Sequence, residues 1–190
     1  MGYLGSKAAS GTYQKIISIM PSHDVYIETH LGSGAIIKNK KPALKNIAID
    51  IDRSAIDNFS HEISNDVSLK LINGCCHQFL DKYNFAGREL VYCDPPYLWG
   101  TRTSSSRYNY EYNDQDHMRL LEQLRSLNCF CIISGYPSSM YDRELSEWNS
   151  IEFQSMTRGG VRTEKLWFNY ELATTKPLTA VTPPTAWLDL

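Results

Sequence analysis

No segment of this 190-residue chain is apolar for anything near the ~20 residues that a bilayer-spanning helix requires. The N-terminus opens on Met-Gly-Tyr-Leu-Gly-Ser-Lys, not on a charged stretch followed by an apolar one. Membrane insertion and secretion are therefore not expected, and a cytoplasmic protein with no membrane partner is. The five cysteines, at positions 75, 76, 93, 129 and 131, form no CxxC pair and have no histidines beside them at zinc spacing. They read as reduced thiols, and no metal is expected. An excess of positive charge is also lacking, with 19 Lys and Arg against 21 Asp and Glu, net −2. Any nucleic acid must therefore be met by a local basic surface and not by the charge of the whole. Hydrophobic residues at 42% and charged residues at 21% exclude disorder as the whole answer, and the length suits one core.

What is present alternates between two periods. Ala8 to Met20 carries apolar residues at helical spacing before Pro21. Strands are predicted at Val25–Glu28, Asn46–Ile51, Leu69–Asn73, Glu89–Cys93 and Cys129–Ser134. Between them helices are predicted over Ala35–Lys41, Arg53–Ile63 and Gln78–Tyr83, with a longer one capped by Asp114 and a further one at Ser138–Trp148. Ile151–Met156 and Lys165–Tyr170, joined through Arg158-Gly159-Gly160, read as a hairpin. The sequence thus predicts an α/β fold, a Rossmann-like, mostly parallel sheet with a C-terminal antiparallel hairpin. Residues 1–173 are expected to form a single domain and 174–190 a Thr/Pro-rich tail.

In such sheets ligands lie at the carboxyl ends of the strands. There the sequence sets Glu28 ahead of a glycine turn at Gly32 and Gly34, Asp50, Cys75, Asp94 to Tyr97, and Ser134 to Tyr136. Glu28 followed by GSG at the start of a helix suits a nucleotide cofactor, and Asp50, about 20 residues on, is placed for a ribose diol. Ile37 leaves the dinucleotide fingerprint incomplete, which disfavours a nicotinamide or flavin. Asp94-Pro95-Pro96-Tyr97 ends a buried strand with a carboxylate, a carbonyl without an intrachain donor and a flat ring. Two acceptors and a stacking surface are what a planar amino group on a base needs.

Tyr3-Leu4-Gly5-Ser6-Lys7, Glu28 to Gly34, Asp50 and Asp94 to Tyr97 occur in the order seen in the DNA adenine methylase family, the D12 class, which the chain resembles from residue 3 to about 172. Ile132-Ile133-Ser134-Gly135 and Thr163 to Tyr170 also look like that family's last strands. The resemblance implies S-adenosylmethionine in the glycine-turn pocket, leaving as S-adenosylhomocysteine, with no metal. It puts Tyr3 and Lys7 near the methionine end, Asp50 on the ribose, and Asp94, Pro95, Pro96 and Tyr97 around a flipped adenine. The family's Glu-Pro-Phe is Glu28-Thr29-His30 here, with His30 a packing substitute. Cys75 stands where an acid would meet the cofactor adenine.

A helical recognition insert is missing between Asp50 and Asp94, so sequence preference should be relaxed unless a homodimer or a partner chain supplies recognition. DNA would be met by Arg102, Arg107, Tyr108 and Tyr110 and by the hairpin's Arg158, Arg162 and Lys165. The lysines at 38, 40, 41 and 45 read as a helix-end surface. Two other readings stay open: a ribosomal-RNA methyltransferase acting on a guanine amino group, and an inactive methyltransferase-like DNA-binding subunit.

Overall fold

The computed structural model describes residue 7 and residues 11–62, 68–101, 110–157 and 160–172. In chain order the elements are α1 (Thr12–Ser18), β1 (Val25–Glu28), α2 (Ala35–Asn39), β2 (Lys45–Asp50), α3 (Arg53–Glu62) and β3 (Leu69–Asn73). They continue with α4 (Cys76–Lys82), β4 (Glu89–Cys93), α5 (Asp114–Ser126), β5 (Phe130–Gly135), α6 (Ser139–Glu144), β6 (Asn149–Thr157) and β7 (Gly160–Phe168). The seven strands form one sheet in the order β3-β2-β1-β4-β5-β7-β6. β1 to β5 are parallel, β7 runs antiparallel to β5, and β6 pairs antiparallel with β7. The fold is thus the expected parallel α/β sheet with an antiparallel hairpin, the hairpin's second strand being slotted between β5 and β6.

Alternation along the strands explains the two layers. Ile27, Val91, Cys93, Ile133 and Trp167 pack with Leu80, Leu120, Leu121, Leu124 and Tyr141 on the α4, α5 and α6 face. Their neighbours Tyr26, Leu90, Tyr92, Ile132, Leu166 and Phe168 pack with Ile16 and Ile36 on the α1 and α2 face. β4 is buried at every position, as a central parallel strand covered by helices on both sides must be.

Several boundaries differ from the sequence reading, each for a local reason. α1 begins at Thr12 because Gly11 is left-handed, at φ 89°, and it ends when Ile19 caps it. α5 is capped by Asn113 and not by Asp114: the Asn113 side chain accepts the Asp116 N–H, and Asp116 accepts the Asn113 N–H in return, both at 3.0 Å. β7 starts at Gly160 because residues 160–164 pair with β6. It stops at Phe168, where the Asn169 side chain takes over by accepting from the Cys131 N–H and donating to the Cys129 carbonyl. Lys40, expected on the surface, is 6% exposed, with its ammonium 4.3 Å from the Tyr26 ring centre and donating to the Lys41 carbonyl.

Candidate functional site

The strand order reverses between β1 and β4, and at such a switch point the loops diverge and leave a crevice. Here the crevice is a cavity of about 440 Å³, within the range of about 300–1,000 Å³ usual for small-molecule sites. Of the residues expected at the site, Lys7, Glu28, Gly32, Asp50, Cys75, Asp94, Pro95, Pro96 and Tyr110 line it.

The glycine turn is held in shape by Asp50. One carboxylate oxygen accepts the Gly32 N–H at 2.8 Å and the other the Asp52 N–H at 2.8 Å. Burial pushes the Asp50 pKa up, and these two donors work against that rise. Gly32 is left-handed at φ 51°, which brings its backbone to the cavity wall. Gly34, at φ 67°, answers a packing need: a Cβ there would lie 2.0 Å from the Phe59 ring of α3.

Asp94 is held by two donors on one oxygen. Oδ1 accepts from Lys7 Nζ at 2.7 Å and from Ser134 Oγ at 2.9 Å, which leaves Oδ2 for an amine. Lys7 also donates to the Tyr97 hydroxyl at 2.9 Å, and that hydroxyl donates to Glu164 at 2.8 Å. Burial alone would lower the Lys7 pKa, but the Asp94 and Glu164 carboxylates beside it reverse the shift and hold it well above the usual value. Burial raises Glu164 in turn, against the pull of Lys7. Pro95 and Pro96 line both the cavity and a second, narrow cleft shared with Tyr97, Ser134, Gly135, Tyr136 and Tyr141. The DPPY segment is thus the wall between the two.

His30 is a neutral wall residue, as its replacement of a packing side chain suggests. Burial pushes its pKa down to about 3; Nδ1 meets Thr29 Oγ1 at 2.9 Å and Nε2 meets the Tyr112 hydroxyl at 3.1 Å. Glu28 sits 2% exposed beneath the turn, bonded to Tyr26 Oη and the Ile37 N–H, and burial pushes its pKa up to about 8. Cys75 lines the cavity where an acid was expected, and Glu111 and Asp116 line the same cavity.

Some expected site residues fall elsewhere. Lys165 is paired with Asp142 at 2.8 Å and with Glu152 at 3.4 Å. The reason is strand alternation: Arg162 and Glu164 share the Lys7 face of β7, and Lys165 belongs to the α6 face. Tyr3, Arg102, Arg107, Tyr108 and Arg158 lie outside the described residues. The sequence reading missed Glu164, although a lone carboxylate two residues before the buried Leu166, on the same strand face, signals an inward acid. It also gave no role to Tyr136, which stacks on Tyr97 with ring centres 4.0 Å apart and planes 10° from parallel.

The donor set suits S-adenosylmethionine. Acidic side chains at 28, 50, 52, 94, 111 and 116 around a partly apolar cavity match a ligand with a sulfonium, an ammonium and a ribose diol, and Leu31 and Ile51 provide the apolar wall. Among the described residues no group of His, Cys, Asp and Glu could hold a metal ion, and no helix is long and apolar enough to cross a membrane.

Solved structures of similar fold include several that are methyltransferases by title. A rRNA methylase from Streptococcus thermophilus superposes with TM-score 0.53 at 12% identity, over 83% of this chain and 92% of that one. A 23S rRNA methyltransferase, ErmE, gives 0.57 at 10%, over 86% and 69%. Magnesium protoporphyrin IX methyltransferase from Synechocystis PCC 6803, with bound S-adenosylmethionine, gives 0.54 at 10%, over 84% and 78%. Among curated proteins none matches the chain significantly. These likenesses establish the fold of S-adenosylmethionine-dependent methyltransferases, and the sequence narrows it. The profile of the D12 class N6 adenine-specific DNA methyltransferases matches residues 51–155, more than half of the chain and the part that carries DPPY, so the chain belongs to that family.

Proposed function

We propose that the protein transfers a methyl group from S-adenosylmethionine to the N6 amino group of adenine in DNA, with relaxed sequence preference. The observation that carries the reading is Asp94, whose Oδ1 is tied to Lys7 and Ser134 while it faces the cavity beside the Pro95–Pro96 wall. When bound, the cofactor supplies an electrophilic methyl group on a positively charged sulfur. Asp94 Oδ2 and the Pro95 carbonyl accept the two hydrogens of the target amine, so that its nitrogen lone pair points across the wall to the cavity. The proton that the amine loses on methylation passes to Asp94 Oδ2 and on to water. Position and electrostatics do the work, and no protein nucleophile is needed.

Between Asp50 and Asp94 the described chain is occupied by α3, β3, α4 and β4, which supports the absence of a recognition insert. DNA would be engaged by the loop after DPPY and the hairpin. The exposed rings of Trp99 and Tyr110 at the two ends of that loop suit stacking against bases, and Arg162 lies on the site's face of β7. Long-read mapping of N6-methyladenine in a host without its own methylase tests the reading. Modification across many adenine contexts is expected. Methylated RNA with unmodified DNA, seen by nucleoside analysis, would overturn it.

A further inference from the structure

The cofactor cavity and the base cleft differ in state. The cavity is open, at about 440 Å³, whereas the cleft on the other side of Pro95 and Pro96 measures about 10 Å³, no more than the minimum for one water. Tyr136 is part of its lining and lies flat on Tyr97, at 4.0 Å between ring centres and 10° between planes. Near-parallel rings at that separation are in direct face-to-face contact, and a base stacked on Tyr97 would take the same place. Tyr97 cannot turn to offer another position, because its hydroxyl is held by Lys7 and Glu164. Tyr136, by contrast, is half-buried and projects from the end of β5 into the loop before α6. Its exit requires rotation of one side chain and loss of its hydroxyl's bond to Tyr97, with no break in the sheet.

We propose that Tyr136 is a plug for the target-base site: its ring stands in for the flipped base on Tyr97, and an incoming base displaces it. The plug keeps Tyr97 dry and aligned before substrate arrives, and sets a threshold that a base must exceed to enter. This rests on the base-methylating reading above, but its test does not depend on DNA being the substrate.

The test uses the full chain saturated with S-adenosylhomocysteine, so that the cofactor cavity is blocked, and follows adenosine and guanosine binding by saturation-transfer NMR. Tyr136→Ala should bind adenosine about three- to tenfold more tightly than wild type, the worth of an ordinary aromatic pair. Tyr136→Phe, which keeps the stacked ring but loses its hydroxyl's bond to Tyr97, should fall between wild type and Tyr136→Ala. Unchanged S-adenosylhomocysteine affinity in both variants shows that the fold is intact. With 2-aminopurine at a target adenine in duplex DNA, Tyr136→Ala should raise the fluorescence of the flipped base by a similar factor. Nucleoside binding by Tyr136→Ala that equals or falls below wild type would overturn the plug. Enhanced uptake of guanosine alone would keep the plug and overturn adenine as the target.

Discussion

The ammonium of Lys7 and Oδ1 of Asp94 lie 2.7 Å apart with Lys7 only 4% exposed, and Glu164 Oε2 approaches the same ammonium at 3.7 Å. One cation therefore separates two carboxylates that would otherwise repel across a buried space. Lys7→Met should destabilise the fold by about 3–5 kcal/mol, the cost of stripping a buried charge of its partner. Adding Glu164→Gln should return part of that loss, because one of the two stranded carboxylates is then neutral. Urea unfolding of the single and double variants checks this, and a Lys7→Met midpoint equal to wild type would show that the pair contributes nothing.

Asp94→Ala should abolish methyl transfer and leave cofactor affinity within a few-fold. The carboxylate faces the amine through Oδ2, whereas the cofactor has the glycine turn, Asp50 and the other carboxylates of the cavity. Single-turnover transfer to DNA and calorimetry with S-adenosylhomocysteine separate the two effects. Residual turnover above a tenth of wild type would take Asp94 out of the reaction.

Much of this geometry was legible in the chain because the signals were local. β1, β3 and β4 end where apolar runs meet glycine, polar residues or proline, and the residues at those ends do line the cavity. Contacts between distant segments were harder to read. Nothing near Lys7 in sequence tells that its partner is 87 residues away, and Glu164 becomes a site residue only when β7 is slotted beside β5. Lys165 shows the same: the sequence does not tell that its strand parity brings it to Asp142.

Gly34→Ala should destabilise without touching the chemistry. A left-handed non-glycine residue costs about 1–2 kcal/mol, and the new methyl group would press on Phe59 at 2.0 Å, an overpacking of about 1–3 kcal/mol more. Phe59→Leu in the same chain should relieve the second part only. Thermal melts of the single and double variants resolve the two contributions. A Gly34→Ala melt that the second substitution does not raise would contradict the packing role.

Glu28 links the site to pH. Burial, with a further push from Asp94, raises its pKa to about 8 from the ordinary 4.5, so the folded protein holds this proton at neutral pH while the unfolded chain does not. The contribution to stability is whole below pH 4.5 and is lost as pH rises to about 8, where it levels off. At about 1.4 kcal/mol per pKa unit, the loss is on the order of a few kcal/mol. Glu28→Gln cannot ionise, so its melting temperature should lose this part of the decline between pH 5 and 8. Cofactor binding should run the other way, because a cationic ligand favours the ionised carboxylate. Below pH 8 binding should release a proton, and affinity should rise with pH until Glu28 is already ionised. Calorimetry in buffers of different ionisation enthalpy counts that proton. The same count in Glu28→Gln as in wild type would assign the released proton to another group.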